Sequence, residues 1–104
     1  MSDNPRLDFC RHLAADAGRL AHSAFGRAAL LPAKGRHDEV TAMDREVERF
    51  VREAINRSFP GDAVLGEEDG ASADVARAEF VWIIDPIDGT ANYARGIAHY
   101  CVSI

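Results

Sequence analysis

The sequence predicts an α+β fold in which two helices pack on short strands. Three observations carry this. Residues 5–31 and 41–58 repeat apolar side chains at steps of three and four, the period of a helix with one buried face. Two short apolar runs, "AVLG" (63–66) and "FVWII" (80–84), are bounded by Gly, Pro and Asp, as strands are. A last run, "HYCVSI" (99–104), reads as another strand.

Each element has a local reason. Asp3 or Asn4 can cap the first helix, and Pro5 suits its first turn. Phe9, Leu13, Ala17, Leu20 and Ala24 form its stripe, and Pro32 stops it. "AKGRHDE" (33–39) is a polar, Gly-containing loop or hairpin. Thr41 opens the second helix with Asp44 three residues on, a capping-box arrangement. Met43, Val47, Phe50, Val51, Ala54 and Ile55 form its stripe, and "FPGD" (59–62) ends it. "EEDGASADVARAE" (67–79) reads as a polar loop with one helical turn. Residues 80–84 read as a buried strand and 88–95 as a turn or short helix.

At 104 residues the chain is one domain at most, with 47% hydrophobic content and a net charge of -5. No basic stretch offsets that charge, which argues against nucleic acid or an anionic membrane as partner. No run is long enough to span a bilayer, and "MSDNPRLDFC" is no secretory leader. Cys10 and Cys101 read as reduced, small hydrophobes in a cytoplasmic protein. The chain stops on an apolar strand at Ile104, as a piece of a larger domain would.

The chemistry gathers in the acids. At about 100° per residue from Met43, Asp44 falls at about 100°, between Val51 at about 80° and Ile55 at about 120°. An acid on that side is costly unless paired or bound. Two readings of Asp44 stand here: a first-turn acid favoured by the helix dipole, or a carboxylate aimed inward at a site. Glu67 and Glu68 follow one strand, and Asp85 and Asp88 follow the other. Ligands of α/β proteins sit at such C-terminal strand ends. Hard oxygen ligands suit Mg²⁺. The bland readings are a solvated acidic loop at 67–68 and an ordinary Asp-Pro-Gly turn at 85–89. Gly89-Thr90 argues against that turn, because free N–H groups at a helix start form an anion site. An EF-hand needs acids two residues apart, and a P-loop needs Gly-Lys-Ser/Thr. The haloacid dehalogenase phosphatases use Asp-x-Asp-Gly-Thr, which one inserted residue spoils here.

The run "WIIDPIDGTANY" (82–93) resembles the first signature of the inositol monophosphatase family. "VTAMD" (40–44), "FPGDAVLGEE" (59–68) and "HYCVSI" fall in the same order and spacing. The likeness runs from about Lys34 onward, and less specifically over the first helix. One departure is Ala98, where the family usually has Pro before the His-aromatic strand. The resemblance implies a layered α/β/α/β/α sandwich of the sugar-phosphatase type, with residues 1–104 as its N-terminal portion. The C-terminal portion, which carries another ligating Asp in a Trp-Asp-x-Ala-Ala signature, is not in this sequence.

The resemblance also implies a set of roles. Glu67, Asp85, Asp88 and the carbonyl of Ile87 would ligate Mg²⁺, of which a complete family site holds two or three. Asp85 would bridge two ions, and Pro86 would aim the Ile87 carbonyl. Ile87, Asp88, Gly89 and Thr90 would hold the substrate phosphate. Asp44, Thr90 and Glu67 would be catalytic, with Asp44 and the Thr90 hydroxyl polarising the attacking water. Glu68 would support the ligands from behind, and Lys34 would approach the site from its loop. The implied activity is Li⁺-sensitive hydrolysis of a phosphate monoester, inositol-1-phosphate or a similar small polyol or sugar phosphate, by a homodimer. Histidinol phosphate, fructose 1,6-bisphosphate and a 3'-phosphonucleotide are alternatives within the class. A non-catalytic remnant that binds metal or a partner subunit is the alternative outside it.

Overall fold

The computed structural model of the chain describes residues 4–25, 42–68, 70–71, 75–88 and 101–104. Helix α1 spans Pro5–Ser23. Asn4 caps it, its Oδ1 accepting from the Leu7 N–H at 3.1 Å, with Pro5 in the first turn. The predicted helix was longer, to residue 31. It ends at Ser23 because the last turn tightens. The Ala24 and Phe25 amides donate to carbonyls three residues back, and the Ser23 hydroxyl donates to the Leu20 carbonyl at 2.6 Å. Ala24, expected on the apolar stripe, is the C-cap instead. Residues 26–41, with the predicted loop, Lys34 and Thr41, lie outside the described residues.

Helix α2 spans Ala42–Ser58 and buries Val47, Val51, Ala54 and Ile55, as its stripe predicts. These meet Leu13, Ala17 and Ala21 of α1 in one core. Beneath lie strands β1 (Ala63–Gly66), β2 (Gly70–Ala71), β3 (Val81–Asp88) and β4 (Cys101–Ser103), in the sheet order β2-β1-β3-β4. β1 and β3 run parallel, and the outer pairs run antiparallel. β2 was not predicted. It is two residues long, and its leading Gly70 has φ 68, which suits glycine.

β3 differs from its prediction in two ways. Residues 80–84 read as a strand buried on both faces, yet Val81 and Ile83 are exposed while Trp82 and Ile84 are buried. The helices cover one face of the sheet, and the other carries the exposed Leu65 and Ile83. The strand also continues through Asp85, Pro86, Ile87 and Asp88, where a turn was expected. Asp85 pairs with Ser103 and Asp88 with Cys101, so β3 carries one residue more than β4 between those pairs. Such a bulge accommodates Pro86, which has no N–H to give the ladder. It also breaks the alternation, so that Pro86 and Ile87 are buried side by side.

The other end of the sheet is held by a polar knot. Arg6 of α1 forks onto Asp62, Nε to Oδ2 at 2.8 Å and Nη2 to Oδ1 at 2.9 Å. Trp82 Nε1 donates to Asp62 Oδ2 at 2.9 Å. The Arg6 hydrogen bond, outweighing burial, holds the Asp62 carboxyl below its ordinary range. The Arg6 guanidinium lies 3.7 Å from the Phe80 ring centroid, and Phe9, Phe59 and Trp82 pack edge and face beside it. Asp62→Ala leaves the Trp82 N–H unsatisfied and Arg6 without its fork. A loss of about 2 kcal/mol in urea unfolding is expected. Cys10 Sγ reaches the Ile104 carbonyl at 3.8 Å and packs half-buried against the core. The Cys101 side chain lies outside the described residues.

Candidate metal and phosphate site

Parallel pairing brings the two acid-bearing segments together. Gly66 pairs with Ile84, and the Glu67 N–H donates to the Ile84 carbonyl at 3.3 Å. The ladder therefore runs one residue past β1 and sets Glu67 beside Asp85. An open concavity of about 380 Å³ lies there, lined by Leu65, Gly66, Glu67, Ile83, Ile84, Asp85 and Ser103.

Two carboxylates, Glu67 and Asp85, meet at this edge of the sheet. Glu67 is exposed as a residue, yet partial desolvation of its carboxyl pushes it up to about 7, helped by a hydrogen bond with Asp85 and by the charges of Asp85, Glu68 and Asp44. Asp85 Oδ1 is buried and has no hydrogen-bond partner. An orphaned buried carboxylate oxygen, against a neighbour that holds its proton to neutral pH, is a donor set suited to a hard cation. Among the described residues no three His, Cys, Asp or Glu side chains are gathered closely enough to hold a metal ion.

Asp44 is 1% exposed in the first turn of α2 and does not line the concavity; its charge is the smallest of those that raise Glu67. Ile87 is buried and Asp88 exposed at the end of β3, with Glu68 half-buried beside Glu67. Lys34, Gly89 and Thr90 lie outside the described residues.

Sequence reasoning missed Glu48 and Arg52. Glu48 is 0% exposed in mid-helix. Its Oε1 accepts from the Glu68 N–H at 2.9 Å, and its Oε2 accepts from Arg52 Nε at 3.1 Å. Arg52 Nη2 also donates to the Gly70 carbonyl. Asp44, Glu48 and Arg52 thus stand at four-residue steps, one polar line down the inner face of α2. The signal was available: from Met43, Glu48 falls at about 140°, beside Ile55.

The Glu67 environment has a testable consequence. Its carboxyl titrates at about 7 in the folded chain, against an ordinary value of 4.5. Between those values the folded state binds more protons than the unfolded chain, so metal-free stability falls as pH rises through the window. Thermal unfolding in a chelator across this range is expected to show the fall, and Glu67→Gln is expected to flatten it.

Two helices on one face of a mixed sheet, with acids at the C-terminal ends of adjacent parallel strands, define the N-terminal α+β part of a sugar-phosphatase sandwich. The chain belongs to the inositol monophosphatase family, whose sequence profile matches residues 3–104. It is 37% identical to an inositol-1-monophosphatase of Mycobacterium bovis over 92% of this chain and 34% of the relative. It is 34% identical to the Nus factor SuhB of Pseudomonas aeruginosa over 96% of this chain and 38% of the relative. Its fold matches an IMPase of Thermotoga maritima at a TM-score of 0.83 and 33% identity, covering 95% of this chain and 38% of that one. The chain thus spans between a third and two fifths of the length of these relatives.

Proposed function

We propose that this chain is the N-terminal portion of a Mg²⁺-dependent phosphate monoesterase acting on inositol-1-phosphate or a similar small polyol or sugar phosphate. The observation that carries the reading is the pairing of Glu67 with Asp85, whose buried Oδ1 lacks a partner. Glu67, Asp85, Asp88 and the Ile87 carbonyl would hold the ions. When bound, Mg²⁺ acidifies water and stabilises the leaving oxygen. Asp44 and the Thr90 hydroxyl orient the attacking water and take up its proton. The N–H groups of Gly89 and Thr90 bind the phosphate and the negative charge that builds on it. Glu68 braces the turn that carries Glu67, and Lys34 adds positive charge from its loop. Asp85 and Asp88 tolerate one another once cations lie between them.

The test is phosphate release by the full-length protein after metal removal, over a panel of inositol, histidinol, sugar and nucleotide phosphates. Activity that returns with Mg²⁺ and is lost with Li⁺ is expected. No release from any monoester with Mg²⁺ present would remove the reading. A second reading, a non-catalytic module that engages a partner, draws on the Nus factor name of one relative. Under it the same assay stays silent while the fold is intact.

A further inference from the structure

The buried charge pair on α2 has no part in the proposed chemistry, yet it grips the turn that does. Glu48 holds the Glu68 N–H, and Arg52 holds the Gly70 carbonyl. The two side chains are joined at 3.1 Å, with 0% and 13% of their side-chain surface exposed. Gly66 completes the clamp. A Cβ there would stand 2.5 Å from Glu48 Cδ and Oε1, and 2.8 Å from Arg52 Nη2. Only glycine lets the strand end approach the pair this closely. The turn is thus held on both flanks of Glu67, at Gly66 and at Glu68 and Gly70, by two side chains of the helix that also carries Asp44. A buried ion pair is a poor source of net stability, so stability alone does not account for its place here.

We propose that Glu48 and Arg52 are positioning residues: together they hold Gly66, Glu68 and Gly70 and so set the Glu67 carboxylate against Asp85 for cation binding. The cation is Mg²⁺ on the reading of the preceding section, on which that last clause rests. Neither residue touches the cation or the substrate. A mobile turn would let Glu67 sample positions away from Asp85, and a cation that needs both carboxylates would have to order it on binding. The clamp removes that freedom from the backbone side.

The experiment replaces the pair as a unit, Glu48→Met with Arg52→Met, in the full-length protein. An apolar pair of similar volume avoids stranding one buried charge. Amide hydrogen exchange is measured without metal, and Mg²⁺ affinity by calorimetry. Exchange at Glu68 is expected to rise about tenfold, the scale of losing one hydrogen bond, with α1 amides unchanged. Mg²⁺ affinity is expected to fall about 10- to 100-fold, as when outer partners of metal ligands are lost. Leu13→Ala is the control. It destabilises the core at a distance, speeds exchange everywhere, and leaves Mg²⁺ affinity unchanged. Should the double variant not fold, Arg52→Lys keeps the charge but loses the fork, and a smaller rise at Glu68 is expected.

Unchanged Glu68 exchange would overturn the proposal, as would a rise no larger than that of α1. A rise with unchanged Mg²⁺ affinity would also overturn it, because the turn would then be held for no ligand. Wild-type protein that binds no Mg²⁺ would instead remove the metal reading, and the exchange measurement would still decide whether the pair fixes the turn.

Discussion

Asp85→Asn is expected to abolish phosphate release by the full-length protein while leaving its fold intact. Asp85 is where the observations converge. It pairs with Ser103 in the sheet, neighbours Glu67 through the parallel ladder, and leaves Oδ1 buried without a partner. Asparagine is nearly isosteric and keeps one oxygen. It removes the negative charge that Asp85 would supply to a cation, and it offers an NH₂ in place of one carboxylate oxygen. Metal-free melting is expected to hold or rise, because removing one of several crowded acids relieves repulsion. The effect separates along these lines: turnover is lost, circular dichroism is unchanged, and the apo form is at least as stable. Wild-type-like turnover in this variant would exclude Asp85 as a ligand.

The second large effect is expected at Asp44. Asp44→Asn lowers kcat by about 10²-fold or more, the scale of losing general-base help. Thr90→Ala is expected to do the same, with a smaller effect on metal binding in each case. If the two groups act on one proton, the double variant is little worse than either single one. Asp44 is 1% exposed and its charge is felt at Glu67, which suits this pairing. Additive losses would instead return Asp44 to a first-turn acid that complements the helix dipole, worth up to about 2 kcal/mol where it is shielded from water.

The line between what was legible in the sequence and what was not follows physical range. The inner stripes of both helices were legible because a buried face imposes a local period, and α2 buries the predicted Val47, Val51, Ala54 and Ile55. Glu67 and Asp85 could be singled out in the sequence because each follows an apolar run, and parallel pairing of β1 with β3 makes them neighbours. Asp44 stood out because an acid at the angle of the apolar stripe is anomalous. Glu48 carried the same anomaly, but beyond its i+4 neighbour Arg52 its partner, the Glu68 N–H, lies on a turn 20 residues away. Neither Arg6 with Asp62, 56 residues apart, nor Trp82 with Asp62 leaves a local trace. The end of α1 rests on tightened backbone bonds at Ala24 and Phe25, and the stop signal in the sequence, Gly26, was passed over in favour of Pro32. The extension of β3 through Pro86 went unread because Asp-Pro is ordinarily a turn signal. A bulge lets the strand carry it.

Direct Mg²⁺ binding tests the central claim, that Glu67 and Asp85 form one cation site. Metal-free full-length protein is titrated with Mg²⁺ in a calorimeter near neutral pH, in two buffers of different ionisation enthalpy. Saturable binding is expected, with a proton released as Glu67, held at about 7 in the free protein, gives up its hydrogen to the ligand role. Asp85→Asn is expected to lose that binding. The account is contradicted if wild-type protein shows no saturable Mg²⁺ binding, or if Asp85→Asn binds with unchanged affinity and the same proton release.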